Sequence, residues 1–225
     1  MPELTVVRVF CAADGTGGNP LGVFVAGQEV PEDQRQAVAH DLGFAETVFV
    51  DGPDRGEMRI FTPELELPLA GHPLVGTAWL LHERGFEVPT LRPPAGEVPV
   101  TFDGGLVRVV ANPEWGPPWE FTQLESPDAI DALTGAPDGS GWGALWAWID
   151  EDAGLIRERV FVAEAGVDED EATGSAALRL TALLDREIEI RQGKGSVLYA
   201  RPISEDTAEV AGRVVLDEVR DYALG

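Results

Sequence analysis

Two stretches of the chain, one hundred residues apart, follow a single plan. Phe61 opens the first and Phe161 the second, and each is followed by an acidic loop, a glycine and an alanine-bearing helix. The junctions are Gly71-His72-Pro73 and Gly174-Ser175-Ala176. Equal steps forward from the two glycines reach Ala78 or Thr181, then Leu80-Leu81 or Leu183-Leu184. A repeated supersecondary unit restricts the fold sharply, because each copy must bury the same kind of face. At 225 residues the chain is long enough for two modest cores.

The local pattern fits that plan. Leu4–Ala12 is predicted as a strand, Asp14–Pro20 as a turn-forming loop and Leu21–Ala26 as the returning strand. Pro31–Leu42 fits a helix closed by Gly43. Thr47–Asp51 and Met58–Thr62 are strands, Pro63–Gly71 a loop, and Pro73–Glu83 a helix stopping at Gly85. The proline-rich stretch Val88–Gly96 is the candidate domain boundary. It divides the chain into residues 1–95 and 96–225. Beyond it, strands are expected at Val98–Phe102, Leu106–Ala111, Leu145–Ile149, Glu158–Ala163, Ile188–Arg191, Val197–Pro202 and Thr207–Val215. Ser175–Leu184 is a helix, and Asn112–Pro137 has no clear pattern.

Charge narrows the function. Forty acidic against sixteen basic residues give a formal charge of -24, which repels nucleic acid and anionic membranes. Cys11 is the single cysteine, so a disulfide framework and a thiol-rich zinc site are both excluded. His40, His72 and His82 show no metal-ligand spacing, and no metal is expected. No long apolar run or signal-like N-terminus is present, and a cytoplasmic location is the expectation. GxGxxG, Walker A and GxSxG patterns are missing. Lys194, the only lysine, sits in a glycine-flanked turn that would not depress its pKa for Schiff-base chemistry.

The two helix starts are the best pointer to a site. Each offers backbone N–H groups at the positive end of a helix, with Gly71 or Gly174 permitting close approach. Converging on one point, they could hold a carboxylate without lysine or arginine. The plainer alternative is that both glycines are turns, with Thr173 and Ser175 capping a helix. His72 beside such a start has its neutral form favoured and could donate or relay a proton. Glu46 opens the apolar strand Thr47-Val48-Phe49-Val50, where desolvation would raise its pKa toward a useful range. Asp170 is the corresponding acid of the second half. Asn19-Pro20 after Gly17-Gly18 reads locally as a tight connection.

Taken together these motifs resemble the PhzF-like phenazine-biosynthesis family, which has the diaminopimelate-epimerase fold. The resemblance runs through Val9-Phe10, Gly18-Asn19-Pro20-Leu21-Gly22-Val23 and Ala45-Glu46-Thr47-Val48-Phe49-Val50. It is strongest from Phe61 to Ala78, and resumes at Arg159-Val160-Phe161 and from Glu169 to Ala176. It ends at Gln192-Gly193 and Gly212-Arg213-Val214. The resemblance implies an α/β (α+β) fold of two similar lobes, each a mixed curved β-sheet around a central helix, with the active site between them. The last residues are expected to pack back onto the first lobe. It also implies a homodimer and cofactor-free isomerisation of a small carboxylic acid, as for trans-2,3-dihydro-3-hydroxyanthranilate. The proton-transferring glutamate matches Glu46, with His72 and Asp170 as catalytic partners. Asn19, Gly71, His72, Asp170, Gly174 and Ser175 are then the substrate-binding set.

Two departures weigh on the substrate. Family members usually carry serine just before the glutamate, where Ala45 stands here. The segment Asn112–Arg157 is short and crowded with Trp115, Trp119, Trp142, Trp146 and Trp148. One cysteine rules out two-thiol epimerisation. A carboxylate-based lyase or epimerase and a non-catalytic acid-binding protein remain as alternatives.

Overall fold

The apolar runs expected to be strands are strands. In the computed structural model, which describes residues 1–137 and 141–224, the chain opens with β1 (Glu3–Cys11) and β2 (Asn19–Phe24). Helix α1 (Arg35–Leu42) leads to β3 (Glu46–Gly52), β4 (Glu57–Phe61) and β5 (Glu66–Leu67). Helix α2 (Gly71–Glu83) precedes β6 (Thr90–Leu91), β7 (Val98–Asp103) and β8 (Leu106–Ala111). Next come β9 (Glu120–Gln123), helix α3 (Pro127–Asp131), β10 (Gly143–Asp150), β11 (Leu155–Val162) and β12 (Val167–Asp170). Helix α4 (Gly174–Leu184) is followed by β13 (Ile188–Gln192), β14 (Ser196–Pro202) and β15 (Ala208–Asp221).

The protein is a mixed α/β fold in which hydrogen bonds join the strands of the described residues into one large sheet. The order along it is β5-β4-β3-β2-β1-β15-β14-β13-β11-β10-β9. Pairs β2/β3, β11/β13 and β10/β9 are parallel and the others antiparallel. A parallel pair needs a crossover. Helix α1 lies in the connection from β2 to β3, and α4 in that from β11 to β13. Both repeat copies place a strand ending near the phenylalanine, a short antiparallel strand, and then the buried helix.

Strand β15 links the two parts of the sheet. Ala208–Gly212 pairs with β8, Ala208–Ala211 also pairs with β14, and Arg213–Asp221 pairs with β1. One apolar cluster runs from Val7, Val9 and Leu21 through Leu74, Val75 and Leu178 to Ile190, Leu198 and Val210. Helix α2 is buried on nearly all sides, from Gly71 through Ala78 and again at Leu80 and Leu81. A helix apolar all round belongs in a core, not on a surface. A second cluster packs α1 on Phe24, Phe49 and Phe61.

Several expectations shift. The helix from Pro31 begins as a 3₁₀ turn, and only Arg35–Leu42 is α-helical, with Gly43 closing it in the left-handed region. Helix α2 starts at Gly71, two residues before Pro73. The strand expected to stop at Val215 continues to Asp221, because β1 supplies its backbone partners. Val88–Gly96 is hydrogen-bonded into the fold: Leu91 pairs with Val98, and Arg92 bonds Gly56 and Met58. Asn112–Pro137 contains β9 and α3, the latter capped by the Ser126 hydroxyl. The repeat also breaks at its end, since Leu80 is 2% exposed and Leu183 is 67% exposed. No helix of the described residues is long and apolar enough to cross a membrane.

Candidate active site

The N-termini of α2 and α4 meet backbone to backbone. A Cβ on Gly71 would stand 2.5 Å from the Cα and carbonyl carbon of Gly174, and one on Gly174 would stand 2.7 Å from the Gly71 Cα. Only glycine permits this approach. Neither helix has a side-chain cap: Ala70 cannot supply one, and the Thr173 hydroxyl donates to Asp170 Oδ2 at 2.6 Å instead. Capping by Thr173, the plainer alternative from sequence, is therefore not what the fold does. Two positive helix ends are aimed at one region.

Glu46 enters this region from the first residue of β3 and is 8% exposed. Asp170 comes from the end of β12, and His72 from the first turn of α2; both are buried. One ligand-type atom from each of the three lies within 4.8 Å of the others. Sequence reasoning placed Asp170 in a loop, whereas β12 fixes it opposite Val160. Its Oδ1 accepts a 2.6 Å hydrogen bond from Asn19 Nδ2. Asn19, expected to touch substrate, thus holds the catalytic candidate from behind.

The electrostatics are uneven. Burial raises the Asp170 pKa to about 6, with the Thr173 and Asn19 hydrogen bonds opposing the rise. Burial raises Glu46 well above the ordinary carboxylate value, and the Asp170 charge adds to it. His72 Nδ1 lies 3.1 Å from Glu46 Oε2, but off the line of a good hydrogen bond, so Oε2 has no aligned donor. Two carboxyls this close cannot both ionise cheaply. Of the two, Glu46 is pushed further toward its protonated form, by burial first and by the Asp170 charge second. Burial pushes His72 down to about 3, partly opposed by the Pro20 carbonyl, so its imidazole is neutral. The neutral form expected from the helix position is favoured here by burial. The three groups are a donor set of the kind a metal uses. The two positive helix ends beside them make the region a better home for an anion than for a cation.

Glu46, Asp170 and Ser175 line a small, partly open cavity together with Ala45, Thr62, Trp119 and Trp142. Gly71, His72, Gly174 and Asn19 are set behind its wall, and no basic residue lines it. At about 20 Å³ it has room for roughly one water molecule. Trp119 was not singled out from sequence beyond its place in the tryptophan-rich segment. Its Nε1 donates to Ser175 Oγ at 3.2 Å, and its ring meets Trp142 edge-on with centroids 5.4 Å apart. Trp146 and Trp148 form a separate edge-on pair.

Comparison with known proteins places this geometry. The family model described as phenazine biosynthesis-like protein matches residues 7–111. The trans-2,3-dihydro-3-hydroxyanthranilate isomerase of Pseudomonas aeruginosa is 31% identical, over 89% of this chain and 90% of its own length. The chain belongs to the PhzC/PhzF phenazine biosynthesis-like family. An uncharacterized isomerase of Pasteurella multocida is 43% identical over a shorter match, 35% of this chain and 28% of the relative. The crystal structure of a PhzF-family protein from Bacillus anthracis superposes with a TM-score of 0.79 over 99% of both chains, at 21% identity. That level of identity speaks for the PhzF fold alone. Family membership supports an isomerase-type activity, and the buried acidic and aromatic cluster suits a small-molecule site.

Proposed function

We propose that this protein is an isomerase that moves a proton within a small unsaturated or cyclic carboxylic acid, without a cofactor. The observation that carries the reading is the buried Glu46 carboxyl, set within 4.8 Å of Asp170 and His72 where two uncapped helix ends meet. Ser175, which lines the cavity, and the uncapped starts of α2 and α4 hold the substrate carboxylate once the site opens, because Gly71, His72 and Gly174 stand behind the cavity wall. Glu46 gives its proton to one carbon and recovers one from the conjugated position. Group and substrate then end with the protons they began with. A carboxyl with a raised pKa suits both halves of that exchange. Asp170 carries the negative charge that keeps the proton on Glu46, and neutral His72 lies beside the Glu46 carboxyl without adding a charge.

In this reading residues 1–95 and 96–225 are two lobes, and the cavity is the closed form of the cleft between them. Entry of an acid with several heavy atoms requires Trp119 and Trp142 to move aside. A cytoplasmic homodimer is part of the same proposal. A second reading, two-base epimerisation, is favoured by one observation: Glu46 and Asp170 come from different repeats and reach the same cavity.

The test uses trans-2,3-dihydro-3-hydroxyanthranilate, the substrate named for the Pseudomonas relative, in D₂O followed by proton NMR. Isomerisation shifts the double bond and places deuterium at the new position, whereas epimerisation exchanges one proton with the skeleton unchanged. Glu46→Gln should slow the reaction by about 10²–10⁴-fold with the fold retained. Unchanged exchange in that variant rejects the role of Glu46.

A further inference from the structure

Glu158 stands in the middle of β11 and has no part in the chemistry above. Its side chain is fully buried, and neither carboxyl oxygen has a hydrogen-bond partner. An ionised carboxylate left like this is too costly to persist. Burial moves its pKa up to about 8, with Arg157 opposing and the Asp170 charge adding to the rise. At neutral pH it is a carboxylic acid.

The strand geometry ties Glu158 to the site. Ile156, Glu158 and Val160 are buried and alternate with the half-exposed Leu155, Arg157 and Arg159, so the acid faces the apolar interior. Trp146 of β10 lies opposite it on one side and Gln192 of β13 on the other. Asp170 of β12 lies opposite Val160, two residues further along the same edge. The ends of β12 and β13 therefore bring Asp170 and Gln192 side by side along β11. Buried Gln192 donates to the Asp170 carbonyl at 2.9 Å and the Thr173 hydroxyl at 2.8 Å, and accepts from the Thr173 N–H at 2.9 Å. Gln192, opposite Glu158 in the sheet, is thus bonded to the end of β12 that carries Asp170.

Besides Arg157, the charge that acts on Glu158 is that of Asp170. On its own strand, Arg157 and Arg159 pair with Asp131 and Glu169. Arg157 reaches Glu158 only through the main-chain oxygen. On β13, Arg191 and Glu189 pair with each other, and on α4 Arg179 pairs with Glu114. The part of β10 opposite this region, Gly143–Trp148, bears no charge.

We propose that Glu158 is a positioning residue for proton transfer, a third buried carboxyl whose proton keeps the Glu46–Asp170 pair able to bind an acid anion. With Glu158 protonated, the three carboxyls carry one negative charge, on Asp170. When Glu158 releases its proton to solvent in mild alkali, a second negative charge appears beside Asp170. A substrate carboxylate is then repelled, and binding weakens while the bonds made and broken at Glu46 are unchanged. The proposal rests on the proton-transfer reading of this site, and its consequences for titration can be measured without any substrate.

Carboxyl ¹³C NMR of the full chain labelled at Glu and Asp supplies that measurement. Wild type should show one carboxyl titrating near pH 8, absent in Glu158→Gln. Asp170→Asn should move that midpoint down by about one pH unit, because the neighbouring charge is gone. In exchange assays with trans-2,3-dihydro-3-hydroxyanthranilate, the wild-type KM should rise several-fold between about pH 7 and pH 9 with kcat nearly constant. Glu158→Gln should remove that rise, and Glu158→Asp should keep it. A Glu158 midpoint unmoved by Asp170→Asn would overturn the proposal, as would an alkaline rise in KM that persists in Glu158→Gln. If wild type exchanges no proton at any pH while the two titrations remain coupled, the coupling stands and the proposed reaction is what fails.

Discussion

Replacing Glu158 by glutamine should make the protein more stable, and increasingly so as pH rises. The folded-state pKa is raised from 4.5 to about 8, so the folded chain keeps a proton that the unfolded chain releases. Below about pH 4 both states are protonated and the group has no effect on stability. Between those values the unfolded state binds fewer protons, so stability falls with pH and levels off once Glu158 ionises in the folded state too. A factor of ten in proton affinity is about 1.4 kcal/mol. The loss is then under about 1 kcal/mol at pH 5, roughly 3 at pH 7 and about 5 at pH 8.5. Glutamine has nearly the same shape and leaves a comparable unpartnered polar group, so it changes little except this titration. Urea unfolding of both proteins at the three pH values gives the difference directly. Glu46 and Asp170 also titrate with raised pKa values in both proteins, so the difference reports Glu158 together with its coupling to Asp170. Parallel stability curves across this range would refute the argument.

Three further outcomes follow from other parts of the molecule. Gly71→Ala sets a Cβ 2.5 Å from Gly174 and should cost about 1–3 kcal/mol while nearly abolishing proton exchange; Gly43→Ala, with no atom within 4 Å but a φ of 64°, should cost about 1 kcal/mol and spare activity. Full activity in the Gly71 variant would contradict the helix-end site. Arg35 is 2% exposed and bonds Asp51, Gly27 and Val30, so Arg35→Ala should lower stability by about 3–5 kcal/mol in thermal or urea unfolding. With a formal charge of -24, the protein repels an anionic substrate, and kcat/KM should increase with added salt; a decrease would mean that local donors dominate encounter as well as binding.

The parts of this architecture visible in the sequence are those set by local pattern. Strand β1 and helix α2 follow from runs of apolar residues, and the Gly71 and Gly174 junctions stand out because the copies repeat them. Glu46, His72 and Asp170 could be named from motifs, and they do lie together. What stayed hidden depends on distant partners. The acidic run Val167–Asp170 has no strand propensity, and it becomes β12 because β11 offers an edge. β9 pairs in parallel with β10, a partner about twenty residues away. The hold of Asn19 on Asp170 and of Trp119 on Ser175 spans 151 and 56 residues. Glu158 was within reach, since an acid in phase with Ile156, Val160 and Val162 must face inward if the strand does. Leu183 shows the opposite error: counting from the repeat suggests a core position, but that side of α4 faces solvent.

Strand β15 has a consequence for how the protein is made. It sets Glu3 opposite Asp221 and Leu4 opposite Arg220, so β1 must wait for every strand between them to be made before it meets β15. While the ribosome adds the intervening residues, at about 5–20 per second, β1 can pair with β2 but keeps its other edge open for roughly ten to forty seconds. That edge belongs to a strand rich in buried valine, the kind that recruits other chains. Translation speed and chaperone cover, more than local propensity, should therefore govern how much of this protein reaches the folded state in a cell.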